Sequence, residues 1–261
     1  MRICVIGAGN LATHLAKALV DAGHEISKIY SRTEASATKL AAVLGCDYTT
    51  DINSIGHDAN VYVVSVSDNA ITSIIDKIFK GREDKILVHT SGSVSIDVFR
   101  GKAKHYGVVY PLQTFSKDKP LRFKDISLFV EASDAETEST LLYLCKSIAE
   151  RVELLDSTRR KYLHLAAVFA CNFVNHCYCI SSEILKKNNI PFSLMLPLIG
   201  ETAEKIRSLS PAEAQTGPAV RHDTDILEKH MALLDGKDDW KILYDIMSKS
   251  IHETRIRHDK L

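Results

Sequence analysis

A glycine-rich turn near the start of the chain has the clearest chemical potential. The segment VIGAGNLA contains Gly7 and Gly9, followed by Ala12, between a short apolar run and an amphipathic stretch. In a strand–turn–helix, the first glycine permits the tight bend, the second lets a pyrophosphate approach the backbone, and the third small residue allows close packing. The helix N-terminus then turns unpaired N–H groups toward the phosphates. The pattern predicts a dinucleotide site, with a purely architectural turn as the alternative.

The end of the second predicted strand indicates which dinucleotide binds. In KIYSRTEAS, Ser31 and Arg32 stand 24 and 25 residues after Gly7, where NAD-binding folds usually have a carboxylate that holds the ribose hydroxyls. A carboxylate would repel a 2′-phosphate, whereas Arg32 could pair with it and Ser31 could donate a hydrogen bond. We therefore predict NADP(H) as the cofactor. The alternative for Arg32 is a solvated surface arginine.

Polar side chains also follow three later strands, in VVSVSDNA, VHTSGSVS and YPLQTFS. Ligands of doubly wound sheets bind beyond the carboxyl ends of the strands, so we expect the first segment beside the cofactor and the second near the nicotinamide. The third suits a small polar ligand, although turn chemistry could explain the second segment and ordinary loop composition the third. The candidates are Ser65, Val66, Ser67, His89, Thr90, Ser91, Tyr110, Gln113, Thr114 and Ser116.

A long apolar stretch, HLAAVFACNFVNH, contains polar side chains that need partners. On a regular helix, His164, Val168, Cys171 and Asn175 share one stripe, and Asn172 lies about 80° from His164. These polar residues either make structural hydrogen bonds or face a cleft between domains. In a cleft, the histidine could donate a proton to a carbonyl or imine that is being reduced, and an asparagine could hold the substrate's oxygen.

Composition disfavours several other classes. The 33 Lys and Arg balance the 33 Asp and Glu, so charge gives no argument for binding nucleic acid or a membrane surface.

The apolar run Leu163 to Ser181 approaches the length of a membrane span, but its histidines and asparagines would be costly in lipid. Six scattered cysteines without a CxxC pair, and no signal-peptide pattern, lead us to expect a cytoplasmic protein. The sequence predicts no metal site and lacks HExxH, GxSxG and P-loop motifs.

These candidate residues require a particular succession of elements. Short apolar strands alternate with helical patterns up to about residue 155, which predicts an α/β domain with a doubly wound, mostly parallel, Rossmann-like sheet. Residues 156–261 show only helical patterns, beginning with one long helix over about Ser157 to Lys187. We therefore predict an NADP-binding domain over residues 1–155 and an all-α domain for substrate binding and dimerisation over residues 156–261.

Several segments together resemble a known family. VIGAGNLATHLAKAL, YSRTEAS and the helical second half are similar to the superfamily of 6-phosphogluconate dehydrogenase and pyrroline-5-carboxylate reductase. HTSGS, YPLQTFS, HLAAVFACNFVN and TGPAVRHD resemble more closely a bacterial family of proposed NADP oxidoreductases, in which a C-terminal domain of unknown function follows a Rossmann-like domain. The resemblance implies a homodimer formed through the helical half, and kinship with deazaflavin-dependent NADP reductases. It implies no particular substrate.

The resemblance also assigns roles to individual residues. The nucleotide positions of the family correspond to Gly7, Gly9, Asn10, Leu11, Ser31 and Arg32, and the polar positions of its long helix correspond to His164 and Asn172. Two departures stand out. No lysine lies four residues before an asparagine on this helix, unlike in the hydroxyacid dehydrogenases of the superfamily, and His222 stands where we would expect a glycine.

The sequence thus favours an NADP(H)-dependent oxidoreductase that moves hydride to or from a small polar carbonyl, imine or hydroxyl compound. We predict His164 as the proton donor, with Asn172 and Ser91 orienting the substrate; the cofactor would perform the hydride chemistry. Two alternatives remain. One is hydride exchange between NADP and a flavin or deazaflavin, and the other is a non-catalytic NADPH-binding sensor or scaffold.

Overall fold

The structure is a computed structural model that describes residues 1–117 and 119–258. The chain divides into two compact units, Met1–Asn172 and Phe173–Leu261. The division falls inside the long helix, whose beginning we took as the domain boundary. The first turns of that helix belong to the first unit because Arg160 is buried there against a strand of the sheet.

Eight strands of the first unit form one sheet in the order β3-β2-β1-β4-β5-β6-β7-β8. All neighbours pair in parallel except β6 and β7, which are antiparallel. The strands are β1 Arg2–Ile6, β2 Glu25–Tyr30, β3 Asp47–Thr49, β4 Val61–Val64, β5 Ile86–His89, β6 His105–Pro111, β7 Leu128–Ala132 and β8 Val152–Leu154. The strand order reverses between β1 and β4, and a doubly wound sheet binds its ligand at this switch point.

Helices cover both faces of this sheet. They are α1 Asn10–Asp21, α2 Glu34–Leu44, α3 Asp68–Ile78, α4 Ala135–Ile148 and α5 Ser157–Ala167. Alternate side chains of β1 enter two separate cores: Ile3 and Val5 pack with α1 and α4, and Cys4 and Ile6 pack with α3. This alternation follows from the two-residue period of a strand. It confirms the predicted doubly wound α/β fold.

The long helix is continuous but not uniform. A wider π-helical turn, Val168–Phe173, separates α5 from α6, Val174–Lys187. A π turn bonds residue i to i+5, so a constant angle per residue does not hold across it. The predicted stripe from His164 to Asn175 is therefore wrong beyond the start of this turn.

The second unit is all-helical in its described residues, as predicted. After α6 it contains α7 Leu196–Lys205, α8 Pro211–Ala214, α9 Thr224–Leu233 and α10 Asp238–His258. Among the described residues 173–258, Ala219 is the one buried residue. This unit therefore lacks an apolar core of its own comparable to the two cores of the sheet.

Within the described ranges, one helix is long and apolar enough to cross a membrane by length and composition, and it spans Ser157–Lys187. A core helix of a soluble protein meets the same two criteria. Arg160, one turn into the helix, is buried in an ion pair with Glu131 of the sheet, an arrangement that ties this end of the helix to a folded domain.

Candidate active site

The glycine turn after β1 has a shape that other residues could not adopt. Gly7 has a φ of 125°, and a Cβ built on it would lie 2.0 Å from the Ser65 carbonyl oxygen. The Gly7 N–H donates to the Tyr30 carbonyl at 2.8 Å, so the turn is tied to β2 as well as to β4. Gly9, the N-cap of α1, has open space where a Cβ would point. The first glycine is thus required for packing between strands, and the second leaves room for a ligand.

A cavity of about 580 Å³ opens beside this turn. Its wall includes every residue that the sequence predicts for cofactor binding: Gly7, Gly9, Asn10, Leu11, Ser31, Arg32, Ser65, Val66 and Ser67. Ser91 and His164 lie on the same wall. The carboxyl ends of β1, β2, β4 and β5 thus meet at one site, as the doubly wound order requires.

Asn172, the third predicted catalytic residue, does not line this cavity. Its side chain is exposed, and it lies in the π-helical turn eight residues beyond His164. The wider turn changes the direction in which residues after Val168 point, and sequence periodicity gave no sign of it.

The end of the cavity next to β2 is suited to an anion. Ser31 is buried there, with its hydroxyl oxygen 3.4 Å from the Thr33 N–H that donates to it. Arg32 is exposed and, among the described residues, has no ion-pair partner. Its guanidinium is therefore available to a phosphate, for which its planar donors are well matched.

The opposite end of the cavity contains a tyrosine–histidine pair. Tyr110 Oη, from β6, and His164 Nδ1, from α5, lie 3.0 Å apart. The two rings meet edge to face at 6.0 Å between centroids. Gly92 makes this position possible, since a Cβ at Gly92 would lie 2.7 Å from two atoms of the His164 ring. We expected Tyr110 in a loop just beyond a strand, whereas it lies on β6, and its contact with His164 was not predicted.

Ser91 has a structural role in addition to its place on the cavity wall. Its hydroxyl oxygen accepts hydrogen bonds at 3.1 Å from the N–H groups of Ser93 and Val94. Such bonds are typical of a serine-stabilised turn. The Ser91 hydroxyl hydrogen faces the Ser93 hydroxyl oxygen at 3.4 Å, because Ser93 donates its own hydrogen to Asp68.

His89 is not suited to proton transfer with a ligand. Its ring is fully buried, stacks on Phe99 at 5.7 Å and does not line the cavity. Burial, assisted by the nearby Arg160 cation, lowers the pKa of His89 to about 4. The imidazole is therefore neutral at physiological pH and has a structural role in the core, where Nδ1 accepts a hydrogen bond from the Ser91 N–H at 3.2 Å.

An ion pair fixes the helix that positions His164. Arg160, one helical turn before His164, is buried and pairs with Glu131 of β7. Ser157 Oγ donates to the same carboxylate at 2.7 Å and accepts from the Ile96 N–H at 3.0 Å. Asp156 caps the helix by accepting from the Arg159 N–H at 2.9 Å. These contacts hold the start of α5 against the sheet.

The PLQTFS loop is tied to α1 through its backbone. Asn10 Nδ2 donates to the Phe115 carbonyl at 2.8 Å, and a ring nitrogen of His14 lies 2.9 Å from the Ser116 carbonyl. Gln113, Phe115 and Lys117 thereby line the cavity. Asn10 thus orders the loop as well as standing beside the glycine turn.

Two family models match the chain. Residues 2–92 match the family of NADP oxidoreductases dependent on coenzyme F420, and residues 126–251 match a domain of unknown function, DUF2520. No protein of curated function matches the chain.

Solved structures match over nearly the whole length. A proposed NADP oxidoreductase from Bacteroides fragilis is 47% identical over 97% of this chain and 98% of its own, with a TM-score of 0.93. An imine reductase from Myxococcus stipitatus in complex with NADP+ is 17% identical over 97% and 93%, with a TM-score of 0.70. A pyrroline carboxylate reductase from Plasmodium falciparum with NADP bound is 14% identical over 98% and 97%, with a TM-score of 0.59. The last two likenesses show a shared fold.

The glycine turn, the unpaired Arg32 and the full-length similarity to the Bacteroides protein all point to an NADP-binding oxidoreductase. The chain belongs to the family of NADP oxidoreductases in which a Rossmann-like domain is followed by DUF2520, which confirms the predicted family, the oxidoreductase class and NADP(H) as the cofactor.

Proposed function

We propose that this protein transfers hydride between NADP(H) and a small polar compound with a carbonyl, imine or hydroxyl group. The main support is a single cavity whose wall runs from the glycine turn to the His164 ring. Gly7, Gly9 and the N-terminus of α1 would hold the pyrophosphate, and Arg32 would hold the 2′-phosphate. When bound, the cofactor supplies or accepts the hydride.

We assign His164 the role of exchanging a proton with the substrate. Histidine is the side chain that ordinarily changes charge near neutral pH. The His164 ring contacts Tyr110 and shares the cavity wall with Ser91. Ser91 would orient the substrate's oxygen or nitrogen by turning its hydroxyl hydrogen away from the long 3.4 Å contact with Ser93. Asn172 lies outside the cavity wall and has no part in this proposal.

The cavity wall carries charges of both signs, with Arg32 and Lys117 as its cations. Asp68, at the start of α3, is the one carboxylate among the described residues of this wall, and the Ser93 hydroxyl donates to it. An anionic substrate would have to avoid Asp68 and a cationic one would have to avoid Arg32 and Lys117, whereas an uncharged carbonyl or imine would meet no like charge.

A substrate panel tests this function. NADPH consumption would be followed with cyclic imines, ketones and aldehydes, and NADP+ reduction with the matching amines and alcohols. We expect turnover of at least one uncharged compound. Tight NADPH binding with no turnover on the whole panel would instead support a non-catalytic NADPH sensor.

Hydride exchange with a deazaflavin is the second candidate, because residues 2–92 match a family described as dependent on coenzyme F420. It predicts that NADPH reduces the oxidised deazaflavin directly, with no imine or carbonyl present. Loss of the deazaflavin absorbance on mixing with enzyme and NADPH would favour this candidate over the first.

Arg32→Ala is expected to remove the preference for NADPH over NADH. We expect wild-type protein to bind NADPH at least about tenfold more tightly, roughly 1.4 kcal/mol, because Arg32 pairs with the 2′-phosphate. Paired titrations at fixed ionic strength measure this ratio. Arg100→Ala is the matched control, since Arg100 pairs with Asp97 at the surface and does not line the cavity. An unchanged ratio in Arg32→Ala would contradict this assignment.

We also propose that a second copy of the chain covers the helical unit. Large apolar side chains there are exposed, including Leu194 at 66%, Leu233 at 83% and Ile242 at 61%. A unit with one buried residue among those described cannot supply its own hydrophobic stabilisation, and exposed apolar surface of this extent is typical of an obligate interface.

Light scattering coupled to size exclusion tests the homodimer. We expect a mass twice that of the chain, independent of concentration across the micromolar range. A stable, folded species with the mass of one chain would contradict the proposal.

A further inference from the structure

The Tyr110–His164 pair gives the two nitrogens of the His164 ring different surroundings. Nδ1 lies 3.0 Å from Tyr110 Oη and packs close to Gly92, where a Cβ would lie 2.7 Å from it. Nε2 has no hydrogen-bond partner among the described residues. Since His164 lines the cavity, Nε2 is the nitrogen left for a ligand.

Among the described residues, the hydroxyl of Tyr110 has one acceptor in reach. Its ring is buried at the end of β6, packed at 6.5 Å from the Phe129 ring, and His164 Nδ1 is its one partner among the described residues. Burial raises the pKa of Tyr110 above its ordinary value, so the phenol retains its hydrogen at neutral pH. A neutral phenol with a single acceptor donates to that acceptor.

We propose that Tyr110 is a positioning residue that donates its hydroxyl hydrogen to Nδ1 of His164 and so keeps the ring hydrogen on Nε2, facing the substrate. A neutral imidazole has one donor and one acceptor nitrogen, and the partner of one nitrogen sets the role of the other. The catalytic consequence rests on the proposed function, whereas the tautomer itself does not.

The proton transfers balance when the pair acts together. As hydride adds to the carbon of a carbonyl or neutral imine, the Nε2 proton passes to its oxygen or nitrogen. Nδ1 takes the hydroxyl proton of Tyr110, so the imidazole stays neutral. The phenolate then regains a proton from solvent through the cavity that Tyr110 lines; burial disfavours this charge, and the Arg160 cation offsets part of that cost.

Nitrogen NMR of the histidine-labelled full-length protein tests the tautomer without any turnover. His164 is assigned by the signals that disappear in His164→Ala, at a pH well above the ordinary titration range of histidine. We expect hydrogen on Nε2 in the wild type and a mixture of both tautomers in Tyr110→Phe, which keeps the ring packing. Tyr106→Phe is the matched control on the same strand, because Tyr106 packs on Phe99 instead.

Activity gives a second readout with an acceptor found in the panel. Tyr110→Phe should lower kcat by part of the roughly 100- to 10,000-fold that a positioned acid or base contributes, with KM for NADPH unchanged. Hydrogen on Nδ1 in the wild type, or no tautomer change in Tyr110→Phe, overturns the inference. If the tautomer behaves as expected but His164→Ala retains full turnover, the proposed catalytic role fails while the positioning by Tyr110 stands.

Discussion

His164→Ala is expected to lower kcat by roughly 100- to 10,000-fold, the usual contribution of a general acid or base. Among the described residues, His164 is the one histidine on the cavity wall, which it shares with the glycine turn. Because the residue lies at the end of the cavity away from Arg32, NADPH binding should persist. Steady-state kinetics with a panel substrate, beside a fluorescence titration with NADPH, measures both effects.

His57→Ala is the matched control for this variant. His57 is exposed, bonds to the Gly81 carbonyl at 3.0 Å and does not line the cavity. It should retain wild-type kcat. Equal turnover in His164→Ala and His57→Ala would contradict the assignment of His164, and loss of NADPH binding in His164→Ala would show that the residue serves the cofactor instead.

Arg160→Ala is expected to destabilise the first unit by about 3 kcal/mol or more, because it leaves Glu131 partly buried without its cation. The Arg160 side chain is 1% exposed and that of Glu131 is 15% exposed, so solvent cannot replace the lost partner. Urea unfolding followed by circular dichroism measures the change. The end of α5 that positions His164 should loosen as well, so kcat should fall together with stability.

Two further variants separate charge from packing. Arg159→Ala removes the adjacent, exposed arginine and should change stability little. Replacing Arg160 by Met and Glu131 by Leu together removes both charges and should recover most of the lost stability, because a buried ion pair is often replaceable by apolar residues. If Arg160→Ala unfolds at the same urea concentration as Arg159→Ala, the ion pair does not hold the helix.

Much of the first unit was predictable because its signals are local. The strand before Gly7 and the helix after Gly9 follow from hydrophobic periods within a few residues. The tight turn between them requires glycine, so it is also visible in the local sequence. The position of Arg32 relative to Gly7 is also a short-range property of one βαβ unit. Strand β3 and the π-helical turn had no comparable signal, since the strand is three residues long and the turn depends on packing.

The catalytic end of the cavity could be predicted only in part. Tyr110 and His164 are 54 residues apart, and nothing in either segment indicates that their side chains meet. The role of Gly92 could not be predicted either, because its lack of a side chain leaves space for the His164 ring, which belongs to a helix far away in the sequence. Asn172 was selected on a regular helical projection, which the π turn invalidates.

The sequence by itself determined the doubly wound fold, the glycine turn and the choice of NADP(H), since each depends on residue types at short, fixed spacings. Only the tertiary structure decided which polar side chains share a wall: β5, β6 and α5 come together through sheet order and through the Arg160–Glu131 ion pair. Contacts of that kind depend on where distant elements pack, and a local pattern of residues does not contain that information.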